Sequence, residues 1–140
     1  MNNPISNDIF DTRDLIEYEQ YLKDELLSAF NDMFDEEEDD LERLKDSEQF
    51  TDEFSNELKE HEEIKEFCKE LESYAPDFYH GETVIHEDYF NEYAEELVKD
   101  CGYISGDVPS WIVIDWEETA DNVKQDYTSI DFNGSTYYIR

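Results

Sequence analysis

The three histidines are the side chains best suited to hold a metal or move a proton near neutral pH. None has the spacing for it. His61-Glu62-Glu63 begins as the zinc-protease motif does, but Lys65 stands four residues after His61, where the second histidine ligand belongs. His80 and His86 could share a metal with Glu82, yet two imidazoles and a carboxylate on a connector fall short of a full ligand set. Pairs such as Asp39-Asp40 could meet Ca²⁺, but the D-x-D-x-D-G loop with its fixed glycine is missing. Cys68 with a histidine would make a nucleophile pair. It follows Phe67 on the apolar side of a helical repeat, which suits a buried reduced thiol, and Cys101 reads the same way. Neither cysteine sits in a CxxC motif.

GxGxxG, GxxxxGK[ST] and GxSxG are all absent, and four glycines leave little material for a phosphate-cradling loop. Paired carboxylates of the glycosidase kind occur throughout, but without the mixed lining of a pocket. The sequence therefore assigns no catalytic residue, no metal ligand and no cofactor, and the expectation is a protein that is not an enzyme.

What the chain has in quantity is carboxylate. Its 41 Asp and Glu against 10 Lys and Arg give a formal net charge of −31. The densest run is Asp35, Glu36, Glu37, Glu38, Asp39 and Asp40, with Glu42 just beyond. A second set, Glu57, Glu60, Glu62, Glu63 and Glu66, lies along a helical stretch. These twelve are the candidate partner-binding residues, and their role would be phosphate mimicry. Duplex DNA carries one charge per ~1.7 Å of axis, so this net charge equals that of about 53 Å of duplex, roughly 15 base pairs. Side chains at i and i+4 on a helix stand ~5–6 Å apart, close to phosphate spacing. A rigid acidic protein of this kind could fill a DNA-binding groove, associate fast by electrostatic steering and release counterions as DNA does.

The same charge excludes other partners. There is no basic stripe for nucleic acid, and the field around the tyrosines repels phosphate. No apolar run approaches the ~18 residues of a membrane span, and anionic lipid would be repelled. The first ten residues have neither the basic nor the apolar region of a secretory signal, so a cytoplasmic location is expected. Two other origins for the acidity stay open: adaptation to a salt-rich cytoplasm, and drift on an unused surface.

Such repulsion usually means disorder, but an aromatic fraction of 15% argues for a folded core. The length suits one domain, residues 1–140, with an acidic helical part over 1–80 and a helix–helix–hairpin part over 81–140. The expected fold is mainly α with a small C-terminal β element (α+β): about four acidic helices and a terminal β-hairpin. Residues 1–10 read as a flexible or loosely docked arm. Asp11 and Thr12 can cap a helix to about Met33, with Leu15, Tyr18, Leu22, Leu26 and Phe30 on one face. The acidic run reads as a helix end or loop, with helix resuming over 41–45.

A second long helix starts at Ser47 or Thr51 and runs to Tyr74, where Pro76 ends it. Its stripe of Phe54, Leu58, Ile64, Phe67 and Leu71 skips a beat at His61. Gly81 marks a turn. A third helix spans about 87–100 with Gly102 as its C-cap, a loop over 103–110 contains Gly106 and Pro109, and Asp115 with Glu118 can open a helix over 116–125. Thr128–Phe132, Asn133-Gly134 and Ser135–Arg140 form a hairpin with a type I′ turn. Two strands alone are marginal, so the hairpin needs helices or a third strand, from Thr83–Ile85 or Trp111–Ile114.

Residues 86–97, His-Glu-Asp-Tyr-Phe-Asn-Glu-Tyr-Ala-Glu-Glu-Leu, and 114–127, Ile-Asp-Trp-Glu-Glu-Thr-Ala-Asp-Asn-Val-Lys-Gln-Asp-Tyr, resemble the ArdA-type antirestriction proteins of phages and plasmids, as does the terminal Tyr-Tyr-Ile-Arg. The resemblance covers about residues 84–140 and does not reach the first 80. Its matching positions, Tyr93, Ala94, Ile114, Asp115, Trp116, Ala120 and Tyr127, look structural. It implies a mobile-element protein that mimics DNA and blocks a host restriction–modification or CRISPR effector complex. The implied partner is a basic DNA-binding protein or nucleoprotein complex, and a homodimer is compatible with it. The alternative is an acidic adaptor or antidote for a basic protein, which need not compete with DNA.

Overall fold

The structure, a computed structural model, describes residues 1–104 and 108–140; the expected loop residue Gly106 lies outside the described residues. Helix α1 (Thr12–Phe34) starts where Asp11 accepts a hydrogen bond from the Arg13 amide at 2.8 Å, and it ends at Asp35, whose φ of 52° is left-handed. The acidic run follows as irregular chain, then come α2 (Leu41–Leu44), α3 (Glu48–Glu53) and α4 (Ser55–Tyr74). Helix α5 (Phe90–Asp100) and α6 (Trp116–Lys124) complete the helices, six among the described residues. The strands are β1 (Ile9–Asp11), β2 (Thr83–His86), β3 (Thr128–Phe132) and β4 (Ser135–Ile139), in one antiparallel sheet of order β1-β2-β4-β3. The fold is α+β, with the hairpin in the expected register around Asn133 (φ 48°) and Gly134 (φ 82°).

Alternation along the strands gives the sheet two buried faces. Phe10, Val84, Ile130, Tyr137 and Ile139 point to one side and join Leu15, Tyr18, Ile64, Phe67 and Leu71 of α1 and α4. Ile85 points to the other side, where it packs with Tyr138, Phe90 and Ala94 of α5 and Ala120 of α6. A third cluster lies beyond the sheet, where Leu41, Leu44 and Phe50 close the far ends of α1 and α4 against Leu26, Phe30 and Leu58. The chain is thus a three-layer arrangement with a small helical cap.

Several expectations change. The N-terminal arm is docked rather than loose: Pro4 is buried in a 3-10 turn, and β1 pairs with β2 through Phe10↔Val84. Its short length and single inward aromatic gave no periodic signal. The third strand is β2, one of the two segments proposed, while Trp111–Val113 lies exposed in irregular chain. The second long helix is two helices. Ser47 caps α3 by accepting from the Phe50 amide at 3.3 Å, and Phe54, with φ −110° and ψ 27°, breaks the path before α4. Residues 87–89 form a turn ahead of α5, not its first turn.

His61 does not interrupt the stripe of α4. It is buried at 2% exposure and hydrogen-bonds Glu19 across the helix pair at 2.9 Å. Counted as core, it makes the spacing of Leu58, Ile64, Phe67 and Leu71 continuous. Thr12 ties α1 to the connector: its hydroxyl donates to the Phe78 carbonyl at 2.7 Å and accepts from the Glu82 amide at 2.9 Å. Gly81 within that connector has φ 113°, and a Cβ there would meet Arg13 Nε at 2.7 Å.

Candidate partner-binding surface

The acidic run is held in shape by its own carboxylates. Asn31 accepts from the Glu38 amide at 2.8 Å and donates to the Glu38 carbonyl at 3.0 Å, which pins the loop against α1. Glu38 then folds inward and accepts from the amides of Asp39 and Asp40 at 3.2 and 3.1 Å. Its side chain is only 14% exposed and lies 3.7 Å from Arg43. Asp40 caps α2 by accepting from the Glu42 amide at 3.1 Å. Of the six residues in the run, Glu38 and Asp40 therefore work within the fold. Asp35, Glu36, Glu37 and Asp39 are exposed and have no ion-pair partner among the described residues.

Cations stitch this loop region to α4. Lys45 donates to Glu42 at 3.2 Å and to Glu62 at 3.3 Å, and Lys65 lies 3.7 Å from Glu42. Burial works against the charge on Lys45, but the two carboxylates overcome it and raise its pKa. The Lys45 hydrogen bond in turn lowers the pKa of Glu62.

Helix α4 divides its five candidates. Glu57 borders a hollow with Leu22 and Leu26 of α1, and Glu60 accepts from the Tyr18 hydroxyl at 2.7 Å. Burial, then this hydrogen bond, pushes Tyr18 up to about 12. Glu62, Glu63 and Glu66 face away from α1, along a groove shared with β3. Its apolar lining is Phe67 and Phe132, stacked with centroids 4.6 Å apart. Glu63 accepts from Asn133 at 3.3 Å and lies 3.8 Å from Lys59.

Two further carboxylates line the same groove, Glu70 and Asp131. Glu70 was legible in the sequence, since it continues the i, i+4 row of Glu62 and Glu66. Asp131 was not, because nothing local says that the hairpin packs on α4.

No protein-family model, curated protein or solved structure matches this chain.

The remaining titratable candidates are placed as follows. His80 is exposed in a turn, and His86 accepts from the Asp88 amide through Nδ1 at 3.1 Å with its ring against Tyr137. Among the described residues, no three His, Cys, Asp or Glu side chains converge as metal ligands. Burial pushes the Cys68 thiol up to about 12, with Glu19 and Glu72 adding to the shift, so the thiol stays protonated at neutral pH. No helix among the described residues is long and apolar enough to cross a membrane. What this surface offers is a band of carboxylates from the loop through α2 and α4 to the hairpin, with an aromatic-lined groove at one end.

Proposed function

We propose that this protein is a DNA-mimic inhibitor, acting in the cytoplasm of a host cell on a basic DNA-binding defence complex of the restriction–modification or CRISPR effector kind. It would work by occupying the surface that normally holds DNA phosphates. The observation that carries the reading is the joined acidic band. Arg43, Lys45, Lys59 and Lys65 are each within 4.0 Å of a carboxylate of the same surface, so the nearby cations bridge its elements while Glu36, Glu37, Asp39, Glu66 and Glu70 remain unpaired among the described residues. A fixed array of surplus charge suits the mimicry of a stiff polyanion better than a fluctuating acidic tail does. The resemblance of residues 84–140 to ArdA-type proteins points the same way.

The test is capture of partners from host lysate at low salt on immobilised protein, followed by elution with duplex DNA. A DNA-handling complex should be released by the duplex. The triple variant Glu62→Lys, Glu63→Lys, Glu66→Lys should capture at least about tenfold less of it. If the duplex fails to displace the bound partner, the mimic reading is wrong and the adaptor reading takes its place. If the triple variant captures as much as the parent, the α4 face is not the contact.

A further inference from the structure

Between α1 and the start of α4 the fold leaves a hollow of about 180 Å³. Leu22, Glu25, Leu26 and Ala29 border it from α1, at i, i+3, i+4 and i+7, which places them on one helix face. Phe54, where the chain breaks ahead of α4, adds its ring to the wall, stacked on Phe50 with centroids 4.6 Å apart. Glu57 of α4 completes the lining. Leu26 is buried and Leu22, Ala29 and Phe54 are half-buried, whereas Glu25 and Glu57 are exposed. The hollow is therefore apolar within and acidic at its mouth.

The charge at the mouth narrows the occupant. Neither Glu25 nor Glu57 has an ion-pair partner among the described residues, and the neighbouring Lys59 turns to Glu63 at 3.8 Å. Other hollows of the surface are balanced. Beside Cys68, Glu19 and Glu72 are matched by Lys65 and Lys69. Beside Trp116, Glu95 is bound by Lys99 at 2.8 Å. An apolar ligand would leave the two free carboxylates at the mouth unanswered, and a small cation would leave the apolar wall in water. The side chain that satisfies both carries an apolar stem and a positive tip. At ~30 Å³ per water, the hollow has room for about six water-sized groups, enough for a four-carbon stem and its ammonium.

We propose that this hollow receives one lysine side chain of the protein's basic partner. The stem packs on Leu22, Leu26, Ala29 and Phe54, and the ammonium sits between Glu25 and Glu57. Arginine fits less well, because its planar fork matches a single carboxylate held side-on, while a point charge is shared readily between two. The inference rests on the partner being a basic protein, as the DNA-mimic reading has it, and it adds what phosphate mimicry lacks. A DNA phosphate takes only the ammonium, whereas the hollow also takes the stem out of water.

The experiment is methyl NMR of the full chain at about pH 6, where carboxylates and amines are both charged. The probes are a tetrapeptide of lysine and a tetrapeptide of diaminobutyrate, which has equal charge and a stem two methylenes shorter. The Leu22 and Leu26 methyls should shift and show nuclear Overhauser contacts to the lysine stem. The affinity read at these methyls should be about tenfold weaker for the shorter peptide. Ala29→Met, which fills the hollow, should erase that difference. Glu25→Gln with Glu57→Gln, two exposed positions that leave the fold intact by circular dichroism, should weaken both peptides at these methyls. Absence of stem contacts at Leu22 and Leu26 overturns the proposal, as does equal affinity for the two peptides or binding that the double glutamine variant leaves unchanged. Any of these leaves the DNA-mimic reading standing, since displacement of the captured partner by duplex decides that. Failure of the duplex to displace the partner leaves the stem preference standing in turn.

Discussion

On the α1–α4 side of the sheet the core is closed and the charge faces outward, tied in place by lysines and by Arg43. On the α5–α6 side the core is smaller, four buried residues ringed by half-buried tyrosines, and the segment between the two helices leaves Trp111 and Val113 uncovered. One side holds its carboxylates at positions fixed by hydrogen bonds. The other has apolar side chains left exposed. Strong net charge is therefore not spread evenly: the stretch Trp111–Ile114 carries none of it.

The smaller core depends most on Phe90. Its ring is fully buried, with Tyr93, Tyr127 and Tyr138 around it at centroid distances of 5.7, 5.3 and 4.9 Å. Phe90→Ala removes the centre of the smaller core and should cost about 3–5 kcal/mol in urea unfolding. If the α5–α6 layer is integral to the fold, the loss appears in one cooperative transition seen equally by far-UV and tryptophan signals. A separate early transition, or a loss under about 1 kcal/mol, would mean that this side packs far more loosely than its contacts imply.

Glu37 and Glu38 are neighbours in the run, yet Glu38 accepts two backbone amides and Glu37 is exposed. Glu38→Gln should destabilise by about 1 kcal/mol, because a neutral amide accepts less strongly and loses Arg43. Glu37→Gln should leave stability unchanged or slightly raised, since it removes repulsion. Equal effects at the two sites would show that the run is uniform, contrary to the hydrogen bonding.

Local chemistry carried much of this fold into the sequence. The Asp11 cap, the α1 stripe, Pro76 after α4, the Asp115 cap and the Asn133-Gly134 turn each act within a few residues, and each is where its residue type predicts. What was not legible depends on contacts across the chain. The β1 strand exists because Phe10 meets Val84, and His61 joins the core because Glu19 stands opposite. The acidic candidates divide in the same way. Sequence marks where carboxylates are dense, and Glu38 and Asp40 bond amides within two residues of themselves, but only packing brings Glu60 to Tyr18 and Asp131 to the groove beside Glu66.

The weakest expected effect concerns the ion pair that joins the cap to α4. The pKa of Glu62 is lowered by the hydrogen bond from Lys45, so its ionised form is favoured in the folded state. A depressed carboxylate stabilises the fold above its unfolded pKa, ~4.3 for a glutamate. That contribution is lost as pH falls through the lower folded value. Both side chains are more than a third exposed, at 37% and 44%, so solvent screening limits the pair to about 0.2–1 kcal/mol. Glu62→Gln alone would mislead, because it also lowers the net charge and relieves repulsion. A double-mutant cycle of Glu62→Gln with Lys45→Met removes that contribution and leaves the coupling. The coupling should be measurable at neutral pH, shrink in salt, and vanish once Glu62 is protonated in both states. If it survives in acid, Lys45 is held by Glu42 or by packing, and the bridge from the loop region to α4 is not electrostatic.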